Sequence, residues 1–375
     1  MRAIVTAQVG MDKKQYLDAT RDFAGQQGES LGIYHVGDMM YREAPDVRPG
    51  RILDLPLSRL NSLRRAAFKD VIADSRDKPN LIVNTHATFR WRHGLFSAFD
   101  FDQISLLKPD IFICLVDNIE VVHNRLHRDH VIDATLKDCM VWREEEILAT
   151  ELMSQAIPSS RFYILSRGRH TPTIRTLFRL CCRPAMRKVY PSFPMSHVVD
   201  MPDVLKEIDD FRAALADHFI TFDPGDVDEK LLLERALAAA REGKTDQLLD
   251  VTPHTFGGSK ASPPIQVRVR EVLDIAGDID GQIYMRDFKL IDQSDMIVSL
   301  IPELPGGVPG LSSGVERELH HAFEHTKEVY VVWKPRKSPS PFITETATKI
   351  FTSVPEALAY FEAKGMFGQK NLFGQ

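Results

Sequence analysis

At 375 residues the chain is longer than one ordinary hydrophobic core supports, so two α/β domains are expected. Its 43% hydrophobic and 26% charged residues are those of a globular protein, and a net charge of −5 gives no reason to expect a nucleic-acid surface, which usually shows a basic stripe. No stretch is apolar for long enough to span a bilayer, and the opening MRAIVTAQVG has too short an apolar run for a signal peptide. Cys114, Cys139, Cys181 and Cys182 form no CxxC pair, which argues against a zinc ribbon or a disulfide framework and fits a reducing cytoplasm.

In chain order, Ala3–Val9 reads as a buried strand, Met11–Gly25 as a helix and Gly32–Val36 as a second strand. Leu57–Ala73 is a long amphipathic helix, and NLIVN (80–84) and IFICLV (111–116) are further apolar strands. A helix over Thr135–Ala156 and a strand at Phe162–Leu165 complete a first domain, taken as residues 1–166. Continuous apolar strands separated by helices indicate a parallel sheet covered on both faces. Residues 167–187 are basic and read as a connection; the Arg175/Arg179 face reads as solvated rather than as an anion site.

The alternation restarts in a second domain, residues 188–375. Strands are expected at Val189–Ser192, Phe219–Phe222, Met296–Ile301, Val329–Trp333 and Ile350–Phe351. Helices are expected at Asp203–Ala216, Leu231–Glu242, Val267–Ala276, Tyr284–Gln293, Glu316–His325 and Pro355–Lys364. Asp250–Pro264 reads as a functional or mobile loop, and Pro302–Leu311 is long enough to form a lid. The fold class is therefore α/β: two three-layer domains, the second with a flavodoxin-like or Rossmann-like parallel sheet whose ligands lie beyond the carboxyl ends of the strands.

Three segments of the second domain carry chemistry. They are VYPSFPMS (189–196), the Arg286-Asp287 pair leading through Gln293-Ser294-Asp295 into a strand, and SSGVEREL (312–319) entering a helix. Cleaving an N-glycosidic bond needs one carboxylate under the anomeric carbon and a second acid near the base or the sugar hydroxyls. Glu318 and Asp287 supply such a pair, Tyr190 a hydroxyl to hold the nucleophile, and the amides of Ser312–Gly314 an anion cradle. Each has a plainer reading. A first-turn glutamate is favoured by the helix dipole alone; Asp287 also reads as a helix N-terminal acid, Tyr190 as a core aromatic and Asp295 as a cap. Glu316 points to another face of its helix.

RDFKLIDQSDMIVSLIP…SSGVERELHHA resembles the nucleoside 2-deoxyribosyltransferase family, and within it the 2′-deoxynucleoside 5′-monophosphate N-glycosidases. The resemblance covers residues 188–375 and implies Glu318 as nucleophile, Asp287 as auxiliary acid and Tyr190 as positioning residue, with 5′-phosphate contacts at Ser312 and Gly314; Ser192 and Asp295 are further candidate substrate contacts. It further implies a homo-oligomer and a reaction without metal or cofactor. Where the nucleotide-cleaving branch places glycine and arginine for phosphate, this chain has Phe193-Pro194-Met195-Ser196. The implied activity is hydrolysis or transfer at the glycosidic bond of a (deoxy)nucleoside or nucleotide. NAD glycohydrolysis is a variant, and a non-catalytic nucleotide sensor or a nucleotide kinase are the alternatives.

The first domain resembles archaeal-type adenylate kinases and related P-loop nucleotide kinases at its opening strand, Gly37-Asp38-Met39-Met40, LIVNTH (81–86), LKPD (107–110) and Arg125…Arg128-Asp129. This implies a P-loop-kinase-like parallel sheet. A working phosphate loop is G-x-x-x-x-G-K-[ST]; here Ala7 and Asp12 replace the glycines, Lys13 remains and Lys14 replaces the hydroxyl residue. An aspartate near a phosphate costs on the order of 1–4 kcal/mol, so no kinase turnover is expected. Arg125 and Arg128 remain candidates for an anion. His123, His127 and His130, like His320, His321 and His325, read as solvated helix residues rather than metal ligands.

Overall fold

The computed structural model describes all residues except 76–77, 92–93, 131, 168–172, 196–197, 252–263 and 368–375. Most of the expected Asp250–Pro264 loop and Ser196 thus lie outside the described residues. Contacts divide the chain into two compact units: Met1–Gly168, Pro172–Arg183 and Leu232–Asp278 form one, and Arg169–Thr171, Pro184–Leu231 and Ile279–Gln375 the other. Each unit is an α/β layer structure around a parallel sheet.

The first unit runs β1 (Arg2–Thr6), α1 (Lys13–Gln26), β2 (Gly32–His35), α2 (Val36–Glu43), α3 (Leu57–Asp74) and β3 (Leu81–Asn84). A hairpin of β4 (Thr88–Trp91) and β5 (Gly94–Ser97) precedes α4 (Phe101–Leu107), β6 (Ile111–Val116), α5 (Ile119–Arg125), α6 (Leu136–Ala156) and β7 (Arg161–Ser166). The sheet order is β2-β3-β1-β6-β7, all parallel. β6 is buried at every position because helices cover both faces. Within the basic stretch 167–187, Ile174–Cys182 is helix α7, which lays Leu177, Phe178 and Cys181 on α1, with Phe23 and Phe178 edge to face.

The second unit opens with β8 (Lys188–Ser192), α8 (Pro202–His218) and β9 (Ile220–Thr221). From Leu232 to Asp278 the chain belongs to the first unit again, with most of α9 (Lys230–Arg241), an antiparallel pair β10 (Leu248–Val251) and β11 (Ile265–Arg268), and α10 (Val269–Leu273). The helix expected over Val267–Ala276 is thus replaced at its start by a strand, because Ile265, Val267 and Val269 alternate and bury one face of the pair. α11 (Ala276–Asp292), β12 (Met296–Ile301), a short hairpin of β13 (Glu303–Leu304) and β14 (Val308–Pro309), α12 (Ser313–Glu324) and β15 (Glu328–Trp333) follow. α13 (Pro341–Thr344), β16 (Lys349–Phe351) and α14 (Val354–Ala363) complete the unit.

Its sheet order is β16-β15-β12-β8-β9, again parallel. The strand order reverses between β8 and β12, so their carboxyl ends flank the crevice where a doubly wound sheet binds ligand. Strand alternation sorts the side chains. Val189, Met296, Val298, Leu300, Tyr330 and Val332 join Phe211, Leu215, Phe351 and Phe361 in one core layer. Tyr190, Ser192, Ile297 and Ser299 therefore lie on the opposite face.

The loop after β9 is held by a buried ion cluster: Arg212 of α8 donates from Nε to Asp223 at 2.6 Å and lies 3.5 Å from Asp226. All three side chains are at most 5% exposed. Removing the cation would strand two carboxylates in the interior. Arg212→Met should therefore lower unfolding free energy by about 3–5 kcal/mol in urea titration; a loss below about 1 kcal/mol would disprove that role.

Candidate active site

Glu318 occupies an unusual place on α12. The buried stripe of this helix is Val315, Leu319 and Ala322, and Glu318 falls within it, while Glu316 and Arg317 are exposed. Its carboxylate is held by both hydroxyls of β8: Tyr190 donates to Oε1 at 3.0 Å and Ser192 donates to Oε2 at 2.6 Å. Ser299, the register partner of Ser192 on β12, donates to Ser192 Oγ at 3.3 Å. A relay thus runs from the strand pair at the crevice to the carboxylate. Ser299 was not anticipated; its signal was a buried serine in the otherwise apolar run MIVSLI.

Asp287 sits on the buried side of α11 among Arg286, Leu290 and Ile291. Its Oδ1 is buried and has no hydrogen-bond partner among the described residues. Burial pushes its pKa well above the usual carboxylate range; Arg286 opposes this, and Glu318, Asp228 and Glu229 add to it. Burial likewise raises Glu318 to about 7, against the two hydroxyls that stabilise its charge. Tyr190 is fully buried and its phenol is raised by burial and by the Glu318 and Asp287 carboxylates, so it stays a donor. The arrangement sets two buried carboxyl groups in one unit, both shifted upward chiefly by burial.

Ser312 is the N-cap of α12, its Oγ accepting from Val315 N at 3.1 Å. Gly314 follows in the first turn, where an added Cβ would meet only Ser312 Oγ at 3.6 Å. Packing therefore does not require glycine there, and the first turn is open for a close ligand approach. The hairpin of Pro302–Leu311 turns through Gly306 and Gly307, both at positive φ.

Asp295 lies elsewhere. Its Oδ2 accepts from the backbone N–H of Lys188 at 2.8 Å, and its own N–H donates to Lys188 O at 2.8 Å. Asp295 precedes β12 and Lys188 begins β8, so this pair ties the strand starts together at the sheet edge opposite Ser192 and Ser299. Asp295→Ala should cost about 1 kcal/mol of stability and leave any base-releasing activity unchanged. A loss of activity at unchanged stability would place Asp295 in the site.

In the first unit, the stretch matching a phosphate loop is closed on itself. Asp12 adopts left-handed geometry, φ 48°, at the start of α1, and its carboxylate pairs with Arg125 at 3.3 Å. Arg125 also donates to Asp117 at 2.9 Å, and Arg167 donates to Met11 O at 2.7 Å. Lys13 is buried and donates to Thr85 O; burial lowers it to about 8, opposed by Glu146 and Cys114. Arg128 pairs with Asp129. The expected anion candidates are thus matched by the chain's own carboxylates.

An AAA domain family model matches residues 24–138. The match begins after Ala7–Lys14 and supports a nucleotide-related function in general terms. No curated protein matches the chain. Among solved structures, a 2-deoxyribosyltransferase from the psychrotolerant bacterium Bacillus psychrosaccharolyticus aligns with 47% of this chain and 94% of its own, at 16% identity and a TM-score of 0.29. Phosphoglycerate kinase from Coxiella burnetii aligns with 98% of this chain and 95% of its own, at 10% identity and a TM-score of 0.19. At these TM-scores neither likeness carries weight below. No helix among the described residues is long and apolar enough to cross a membrane.

Proposed function

We propose that the second unit cleaves the N-glycosidic bond of a (deoxy)nucleoside or nucleotide, with Glu318 as nucleophile, Asp287 as acid and Tyr190 and Ser192 as positioning residues. The observation that carries this reading is a carboxylate set in the apolar stripe of α12 and gripped by two hydroxyls at the strand-order reversal.

A Glu318 oxygen attacks C1′, forming a C1′–O bond as the C1′–N bond breaks and its electron pair leaves on the base. Asp287 delivers its proton to the departing base. Water then attacks C1′, giving a proton to the Asp287 carboxylate and releasing Glu318; a second base replaces water if the protein is a transferase. Ser312 and Gly314 offer the helix start to the 5′ end of the sugar. A second copy of the chain completing the site belongs to the same proposal, tested by sizing the active species.

The decisive experiment incubates the chain with nucleosides, deoxynucleotides and NAD and follows free base by chromatography. Glu318→Ala should lower base release on the order of 10³-fold or more, and Asp287→Asn by about 10²–10⁴-fold. Glu316→Ala should stay near the parent rate. Loss in Glu316→Ala but not in Glu318→Ala would reverse the assignment, and no base from any substrate would refute the activity. Gly314→Ala should fold normally and raise KM with kcat nearly unchanged; an unchanged KM would remove the helix start from the site.

Acidity gives a second prediction. Glu318 acts ionised, so kcat/KM should rise with pH through about 7, and Asp287 acts protonated, so activity should fall at higher pH as it titrates. The stability sign is opposite for the acid limb. Glu318 is raised from 4.5 to about 7, so the folded state holds a proton that the unfolded chain has lost, and stability falls as pH rises across that window. Glu318→Gln should therefore stabilise the unit by about 2–3 kcal/mol more at pH 8 than at pH 5. A pH-independent difference would contradict the raised pKa of Glu318.

A further inference from the structure

We propose that Asp292, His321 and His325 form a binding site for a borderline divalent transition-metal ion such as Zn²⁺, Co²⁺ or Ni²⁺. Their ligand atoms all lie within 4.8 Å of one another, and no other group of three His, Cys, Asp or Glu side chains converges in this way among the described residues. His321 and His325 are four apart at the end of α12, with ring centroids 4.0 Å apart and tilted by 32°. That spacing puts two imidazoles on one helix face, as helical two-histidine sites require. Asp292 ends α11, and its Oδ1 accepts from His321 Nε2 at 2.8 Å, a proton that the ion would displace.

Two further features favour an ion over a chance cluster. His325 Nδ1 lies 2.9 Å from His321 O, and a carbonyl only accepts, so Nδ1 carries the proton and Nε2 presents its lone pair. Donation of the second ring nitrogen to a carbonyl is the usual support of a metal-bound histidine. His321 is only 16% exposed and rests on the Phe288 ring at 4.4 Å between centroids, so one ligand is already fixed in orientation. Bonds of about 2.0–2.2 Å need ligand atoms roughly 3–3.6 Å apart, which side-chain rotation at His325 supplies. Two nitrogens and one carboxylate oxygen suit Zn²⁺, Co²⁺ or Ni²⁺ rather than Mg²⁺ or Ca²⁺, which prefer oxygen alone. Water fills the remaining position.

The ion would tie the end of α11 to the end of α12. α11 carries Asp287 and α12 carries Glu318, three residues before His321. Any effect on base release rests on the proposed activity; metal binding itself does not.

The test uses the full chain freed of metal with a chelator, titrated with Zn²⁺ by calorimetry and with Co²⁺ by visible absorption. One ion per chain should bind, with a Co²⁺ d–d band, and excess Mg²⁺ should not displace it. His321→Ala, His325→Ala and Asp292→Ala should each weaken Zn²⁺ binding on the order of tenfold or more, with circular dichroism unchanged. Excess Zn²⁺ should raise the thermal midpoint of the parent but not of the His321→Ala/His325→Ala double variant. The control is His123→Ala/His127→Ala, which removes the other close histidine pair, 3.0 Å between Nε2 atoms, and should leave binding intact. No binding by the parent, parent-like affinity in the double variant at 321 and 325, or loss of binding in the control would each overturn the site.

Discussion

The second unit is organised around one awkward requirement: a carboxylate, Glu318, held within the apolar stripe of a helix that packs on a parallel sheet. Such a group is tolerated only if its oxygens are hydrogen-bonded. Tyr190 and Ser192 meet that need, and Ser299 supports Ser192 from the neighbouring strand. The demand fixes which strand faces α12 and which residues of β8 can be small or hydroxylated. It also leaves the carboxylate near neutrality in its acidity, where a modest change in surroundings moves it between charged and uncharged forms.

The first unit has the same kind of sheet and the opposite outcome. Its crevice lies between β1 and β6, where the strand order reverses, and the chain fills it with its own charges. Asp12 stands where a loop glycine would leave room, and Arg125 neutralises it together with Asp117. Lys13 points at a backbone carbonyl.

Several features were readable in the residues because they depend on local periodicity. The strands at 81–84, 111–116 and 296–301 are largely apolar runs, and each appears in a parallel sheet. Glu318 and Asp287 were legible as the acids of SSGVEREL and of the Arg286-Asp287 pair, and the structure sets them beside Val315 and Leu319 and beside Leu290 and Ile291. Other features were not. The β4–β5 hairpin consists of four-residue strands too short to set a period. β11 was read as helix because Val267, Val269 and Val272 suit both periods in part. α7 was masked by its arginines, although its Leu177, Phe178, Leu180 and Cys181 are buried.

The sequence by itself determined the alternation of strands and helices, the loss of the phosphate-loop glycines and the chemical types available at 190, 287 and 318. These follow from side-chain volume, polarity and spacing along a few turns of chain. Tertiary structure alone decided that Asp295 joins Lys188 at the far edge of the sheet while Ser299 joins the carboxylate relay. It also decided that Arg125 faces Asp12 and that Asp292 meets two histidines from another helix. Those pairings span tens to more than a hundred residues. They are set by strand register and helix docking, and short-range patterning carries no record of either.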